Sequence, residues 1–468
     1  MITKFVGRDK ELELLNEEYK KQGFSFIPIY GRRRIGKTEL ILQFMKNKKG
    51  IYFSASEGTE LENITLFKDV AKQHFDLTTV KDDWFSILKY IGDNLKEKFI
   101  VTIDEYHYLV NADKRVSSKF QQVIDLSLKN KNIFLILSGS SQSIMYKSVL
   151  NYKAPLYGRR TGQIELLALK FKDVYNYFKD KEYITNISEE NKLEEIIKIY
   201  GVTGGVPAYF KYFEDQISFI SSLTLNVLPR NSFLREETLF LFRQEFRDPK
   251  TYLSIISAIA EGKNSLGEII DYCGFSNKTS IAPYIRSLEV LGYVKKDISI
   301  TAKPRSKKTQ YRLTDQLIEF WGKVIKPNIS MLDNNFNLAL ENVKKEYSSY
   351  LGSVFEKICK ELLFELHSDY AEYGRFWQNN TEIDIIALNN KTKNILFCEC
   401  KYSDNVNSQK IIYELIEKAK TVSWNNSTRK EQYILFAKSF FGSKNVMFEN
   451  KQIFIYDFKD ISKYLNPK

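Results

Sequence analysis

Cysteine and histidine are scarce in this chain: Cys273, Cys359, Cys398 and Cys400, with His74, His107 and His367, are all that 468 residues contain. No Cys-x-x-Cys pair occurs, so neither a structural zinc nor a disulfide framework is expected. Long hydrophobic runs are lacking too. Stretches such as Ile133-Phe134-Leu135-Ile136-Leu137 fall far short of the roughly 20 apolar residues that a bilayer requires. Met1-Ile2-Thr3-Lys4-Phe5-Val6 does not begin a signal peptide. These absences predict a cytoplasmic protein with no membrane partner. Internal repeats and low-complexity linkers are absent as well. What is there is a well-mixed chain, 43% hydrophobic, with 70 Lys+Arg against 58 Asp+Glu and a net charge of +12. That length accommodates about three or four folded domains. The mild basic surplus suits nucleic acid or any other anionic partner, so where the charge sits matters more than its sum.

Short apolar strands alternate with amphipathic helices over the first third. Strands are expected at Phe26–Tyr30, Ile51–Ser54, Phe99–Ile103 and Ile133–Leu137, and helices from Lys37, around Leu66–His74 and near Lys119–Leu128. This pattern predicts an α/β domain with a mostly parallel sheet and helices on both faces. A helical lid follows, with Phe171–Phe178 spaced for one buried face and Gly204-Gly205-Val206-Pro207 breaking the run. The expected divisions are 1–165, 166–247, 248–325 and 335–468.

Gly31-Arg32-Arg33-Arg34-Ile35-Gly36-Lys37-Thr38 fits G-x-x-x-x-G-K-[ST] between an expected strand and an expected helix. Glycines let the backbone curl so that successive N–H groups meet phosphate oxygens, and the helix N-terminus adds positive potential. Lys37 would reach the β- and γ-phosphates and Thr38 would ligate Mg²⁺. The strand Phe99–Ile103 ends in Asp104 and Glu105; Asp104 would hold Mg²⁺ and Glu105 would polarise the attacking water. After the next strand, Ser138-Gly139-Ser140-Ser141 offers either a γ-phosphate sensor or a plain polar loop. Arg159 and Arg160 read equally as arginine fingers or surface cations. Phe5-Val6-Gly7-Arg8-Asp9-Lys10-Glu11-Leu12, Gly31–Thr38, Ile103-Asp104-Glu105, Leu156-Tyr157-Gly158-Arg159-Arg160 and Gly204–Pro207 together resemble the archaeal and bacterial P-loop ATPases related to AAA+ and STAND proteins. The resemblance implies an ASCE-type core with a helical lid, an adenine pocket near Phe5–Arg8 and Gly205-x-Pro207, and ATP as the nucleotide. No Asn-Lys-x-Asp motif follows a strand, as a GTPase would require.

Residues Tyr252–Ala260, Ser265–Cys273 and Lys278–Leu291 have the lengths of a helix-turn-helix with a preceding helix, and Gly292–Leu313 would form a wing. Lys295, Lys296, Lys303, Arg305, Lys307, Lys308 and Arg312 stand there against a single acid, Asp297. Such a hairpin suits DNA phosphates, and equally a solvated surface or a protein contact.

Near the C-terminus Leu351–Cys359 is expected to start a helix with Ser353 as its cap. Two strands, Thr381–Leu388 and Asn394–Lys401, would pair about a tight turn, setting Asp384 opposite Cys398 or Glu399. Alternation puts Lys401 on the face of Glu399. Asp384 and Glu399 could share a metal, Glu356 could join through water, and Lys401 could orient the nucleophile of phosphodiester hydrolysis. Cys398 and Cys400 fall on the opposite face as core residues. The order Gly-Ser-x-Phe-Glu, Glu-x-Asp, Glu-x-Lys resembles the PD-(D/E)XK nuclease fold and is similar to archaeal Holliday-junction resolvases, except that Glu382 adds a third acid. The whole chain looks like those P-loop ATPases that carry a C-terminal domain of unknown function with this nuclease-like core. Two functions follow as expectations. One is an ATP-driven, Mg²⁺-dependent enzyme that engages and cuts DNA. The other is a STAND-like nucleotide switch with a catalytically silent docking domain, in either case open to assembly as a homo-oligomer.

Overall fold

The computed structural model describes residues 5–214, 218–302, 309–442, 444, 448 and 451–467. The apolar runs of the first third are too continuous to leave one face in water, and they become a sheet covered on both sides. Its strands are β1 (Ser25–Tyr30), β2 (Gly50–Ser54), β3 (Phe99–Asp104), β4 (Ile133–Gly139) and β5 (Ile164–Glu165), all parallel, in the order β2-β3-β4-β1-β5. Every residue of β3 and β4 is buried. Strand β4 stands between β1, which leads into Gly31–Thr38, and β3, which ends in Asp104. That inserted strand is the arrangement an ASCE-type core implies, and it brings the loop and the acid to the same rim of the sheet.

A helix that the sequence pattern did not announce, Trp84–Asp93, covers one face; Asp83 caps it by accepting from the Ser86 N–H at 2.8 Å. Trp84 is fully buried, edge-on to Phe67 at 5.3 Å between ring centres and 5.7 Å from Phe120. The helix expected near Lys119–Leu128 runs over Val116–Val123 and widens into a π turn at Ile124–Leu128.

The chain divides into two compact units, Met1–Ala168 with Val206–Ala208, and Leu169–Gly205 with Tyr209–Lys468. In the second unit, Ser188 caps the helix Glu189–Thr203, which ends where Gly204 takes the left-handed conformation (φ +56°). Three helices, Lys250–Ala260, Leu266–Cys273 and Lys278–Val290, precede an antiparallel hairpin of β6 (Val294–Ile298) and β7 (Thr309–Leu313). The capping box of Ser265 with Glu268 and the Asn277 cap explain where the second and third begin. A mixed sheet follows: β8 (Glu372–Gln378), β9 (Thr381–Asn389) and β10 (Asn394–Lys401) are antiparallel, and β12 (Lys430–Ala437) and β14 (Gln452–Tyr456) add parallel beyond β10. The short strands β11 (Val406–Asn407) and β13 (Phe440–Phe441) pair with each other. Strand β8 is an edge of the five-stranded sheet.

One helix of 31 residues, Phe336–Leu366, forms the spine of this unit. Its Tyr350 hydroxyl donates to Gly201 O at 2.9 Å, and its Glu361 accepts from the Phe171 N–H at 2.8 Å and the Tyr200 hydroxyl at 3.2 Å. Ser353 is therefore no cap. It lies inside the helix and donates to Tyr350 O at 2.9 Å, while Asn335 holds the N-terminus. The buried series Tyr347, Tyr350, Leu351, Val354 and Phe355 keeps the helix continuous through Gly352, at a cost of about 1 kcal/mol for the glycine.

Trp84→Ala deletes the centre of the aromatic cluster and should destabilise the first unit by about 3–5 kcal/mol. Urea unfolding followed by circular dichroism checks this: the variant should show a transition at lower urea than the wild type.

Candidate functional site

At the end of β1 the backbone dictates the loop. Gly31 sits at φ +150°, and a Cβ there would lie 2.3 Å from Leu166 O, so no other residue fits. Arg34 takes φ +67°, and Gly36, at φ +94°, caps the helix Lys37–Met45. Ile35 is buried. Arg8 donates to Ile35 O at 3.1 Å and to Leu167 O at 2.8 Å, so this residue of the expected adenine pocket braces the loop from behind. The Lys37 ammonium donates to Gly31 O (3.1 Å) and Arg32 O (3.0 Å). Burial pushes its pKa down to about 8, with the charges of Arg33 and Arg32 adding and those of Glu105 and Asp104 opposing.

Asp104 gathers three donors: its Oδ2 accepts from Thr38 Oγ1 at 2.7 Å and from the Tyr52 hydroxyl at 2.8 Å, and its Oδ1 from the Glu105 N–H at 2.9 Å. Glu105 adopts φ +52°, a left-handed conformation that is costly for this residue type. Its Oε2 accepts from Ser140 Oγ at 2.8 Å and lies 3.2 Å from His107 Nδ1. Burial raises the Glu105 pKa, but the bonds from His107 and Ser140 and the charges of His107 and Lys37 outweigh it, leaving about 2. Ser140 thus orients the acid. Arg159 is spent on an ion pair with Asp125 (2.7 Å) and a bond to Pro155 O. Arg160, half-buried, lies over the Tyr157 ring at 4.7 Å and donates to Tyr157 O at 3.1 Å.

In the C-terminal sheet the ladder of β9 and β10 runs from Asn389–Asn394 to Ile385–Cys398, which makes Asp384 and Glu399 the next facing positions. They do not stand as a free pair. Asp384 Oδ2 accepts from the Cys400 N–H at 2.8 Å, continuing the ladder with a side chain. Burial, then the charges of Cys400, Glu356 and Glu399, push the Asp384 pKa up. Glu399 is buried and ion-paired with Lys401 at 2.8 Å and Lys418 at 3.1 Å. Arg375 takes the other two acids, donating to Glu356 at 2.5 Å and to Glu382 at 2.6 Å. Among the described residues no group of three or more His, Cys, Asp or Glu is placed to hold a metal. The expected pair of Asp384 and Glu399, with Glu356 beyond, is met by a backbone N–H and by cations of the same domain. Cys398 and Cys400 are buried, with their sulfurs 3.9 Å apart. On the hairpin, Lys295 and Arg312 both pair with Asp297, whereas Lys303, Arg305, Lys307 and Lys308 lie outside the described residues.

Two family models match parts of the chain. A family model described as an ATPase domain predominantly from Archaea matches residues 5–213, and a second, archaeal and bacterial proteins of unknown function, matches residues 321–412. An uncharacterized protein of Methanocaldococcus jannaschii is 36% identical over 98% of this chain and 100% of its own length. The chain belongs to this archaeal ATPase family. An uncharacterized ATP-binding protein of the same organism is 48% identical over 10% of the chain, which is 81% of that protein. Among solved structures, the Walker-type ATPase of Pyrococcus abyssi shares the fold: TM-score 0.53, 20% identity, 68% of this chain and 95% of that one. No helix among the described residues is long and apolar enough to cross a membrane.

In the ATPase, sequence reasoning passed over two groups, Tyr52 on Asp104 and His107 beside Glu105, and Ser140, read as a phosphate sensor or a plain loop, instead holds Glu105. Tyr52 is on a strand beside β3, and only the register Ser54↔Asp104 brings it near. Arg375 left no signal either, since an arginine on an edge strand reads as surface.

Lys37 has a cost in the nucleotide-free protein. Its folded-state pKa of about 8 lies below the ordinary 10.5, so at pH 7 folding holds a desolvated charge. Lys37→Met should stabilise the nucleotide-free first unit by about 2 kcal/mol at pH 7. The gain should shrink as pH rises from 8 toward 10.5, because the wild-type lysine sheds its proton in the folded state first. Thermal melts at several pH values check this, and the same variant should lose the rise in Tm that ATP gives the wild type.

Proposed function

We propose that this ATPase binds ATP with Mg²⁺ at Gly31–Thr38, hydrolyses it, and engages DNA through the helices and hairpin of residues 248–325. The observation that carries hydrolysis is Glu105: ionised, fixed by Ser140, and adjoining the Asp104 that holds Thr38. Thr38 Oγ1 and Asp104 Oδ2 are hard oxygen donors 2.7 Å apart and fit a hard cation. Bound there, Mg²⁺ would neutralise charge on the β- and γ-phosphates. Lys37 exchanges its two loop carbonyls for phosphate oxygens, and Glu105 orients and polarises the attacking water. The divisions at 165, 247 and 325 remain the working domain boundaries.

For the C-terminal domain there are two readings. Glu356, Asp384, Glu399 and Lys401 are the residues of a PD-(D/E)XK-like nuclease, which would make the ATPase a DNA-cutting enzyme. The second reading, a nucleotide switch with a silent docking domain, is favoured by one specific observation: Glu356, Glu382 and Glu399 are each neutralised by cations of the same domain.

Glu105→Gln should lower the ATPase kcat by at least about 100-fold while ATP still raises Tm. DNA affinity measured against salt should have a steep slope, reduced by about 0.9 for each phosphate contact removed when Lys303, Arg305, Lys307 and Lys308 are changed to alanine. Metal-dependent cleavage of linear, branched and single-stranded DNA that Asp384→Asn abolishes would establish the nuclease. ATP turnover with no cleavage and no DNA binding would establish the switch.

A further inference from the structure

The carboxylates of the C-terminal sheet meet a partner that no motif contains. Between the pairs Gly374–Ile386 and Phe376–Ile383 the ladder of β8 and β9 slips, so that one residue of β8, Arg375, faces two of β9, Asp384 and Ile385. A bulge of this kind re-aims side chains. Here the guanidinium forks, with one nitrogen 2.5 Å from Glu356 of the long helix and the other 2.6 Å from Glu382 of β9, and it lies within electrostatic reach of Asp384. Planar and permanently charged, it holds the two carboxylates in a fixed fork.

The hairpin fixes the strand that carries this arginine. The Ile300 N–H donates to Arg375 O at 2.9 Å, and the Trp377 N–H donates to Ser299 Oγ at 3.2 Å, so Ser299–Ile300 covers the open edge of β8. Gly374 leaves room for Ile300: a Cβ on it would come within 3.0 Å of the Ile300 Cβ. Arg312 of β7 reaches Glu382 at 3.8 Å. A cavity of about 630 Å³ opens where these elements meet, lined by Arg312, Glu356, Lys360, Arg375 and Asp384 among others.

We propose that Arg375 is an internal counter-ion that excludes divalent cations from Glu356, Glu382 and Asp384, and that the hairpin, seated on β8, holds it there as an autoinhibitory contact. This inference rests on the nuclease-like reading of the carboxylates only in supposing that they have affinity for a cation once freed. The competition is electrostatic: a guanidinium already hydrogen-bonded to two carboxylates removes the charge and the lone pairs that a hard cation would use. Lifting Ser299–Ile300 from β8 frees the strand and lets Arg375 swing into the cavity.

The test is Mn²⁺ binding to the full chain without nucleotide, by titration calorimetry and the EPR signal of free Mn²⁺. Wild type should show no Mn²⁺ site that Glu356→Gln removes. Arg375→Gln should gain one, at least tenfold tighter than any wild-type binding, and Arg375→Gln with Glu356→Gln should lose it. Ile300→Pro, which deletes the N–H that holds Arg375 O, should gain the same site and serves where Arg375→Gln does not fold. An Arg375→Gln or Ile300→Pro protein, folded by circular dichroism, that binds Mn²⁺ no more tightly than wild type overturns the proposal. So does a wild-type site that depends on Glu356. Mn²⁺ gained without DNA cleavage would uphold the counter-ion and refute the nuclease.

Discussion

A single carboxylate, Asp104, fastens the nucleotide end of this ATPase together. Strand β4 separates the strand of the phosphate loop from the strand of the acid, so no ladder hydrogen bond joins them and a side chain must. Asp104 does it by accepting from Thr38 at the first turn of the loop helix, from Tyr52 on β2 and from the backbone of Glu105. The last of these fixes Glu105 in a left-handed conformation that its own propensity disfavours. Strain at that residue is therefore supported by the group beside it, and the direction of the Glu105 side chain follows from the position of Asp104. Ser140, at the end of β4, completes the support from the next strand.

What could be read from the residues alone divides along lines of distance in sequence. The phosphate loop is local: Gly31 and Gly36 are needed because of their own dihedral angles and because Leu166 O crowds Gly31, and their spacing to Lys37 records this directly. Strands β1, β3 and β4 were legible because burial on both faces leaves them almost wholly apolar, and half-buried β2 through its run of Ile51, Tyr52 and Phe53. The Trp84–Asp93 helix was passed over because its neighbours are polar and its apolar face needs Phe67 and Phe120 to become meaningful. The expected cap at Ser353 failed for the opposite reason: a serine before apolar periodicity has the local chemistry of a cap, but the buried tyrosines upstream extend the helix through it. Turn length narrowed the partner of Asp384 to Cys398 or Glu399, and the ladder register decides for Glu399. Finding Arg375 needed a bulge, and one slipped residue on an edge strand has no sequence signature.

The two acidic centres of the chain are electrostatically opposite, and this bears on how each can act. Around Asp104 and Glu105 the donors are mostly neutral hydroxyls and a backbone N–H, and the one nearby lysine holds its proton less firmly than usual because burial works against it. Such a centre lies at a rim that also presents a loop for anions, so it would suit a metal bound with a polyphosphate. Around Glu356, Glu382 and Glu399 the charge is already met by Arg375, Lys401 and Lys418.

Ion pairs that are only partly buried, as these are, add little net stability compared with apolar packing. A protein that needed only a packed edge at β8 would gain as much from apolar residues there. The fork of Arg375 instead joins the long helix to β9, and its backbone carbonyl joins β8 to the hairpin. Opening that junction exposes two acids together, so the charges cannot be released one at a time. The cost of opening is thus concentrated in one residue, and a ligand that offers Arg375 another anion while offering the acids a cation repays both sides of the exchange.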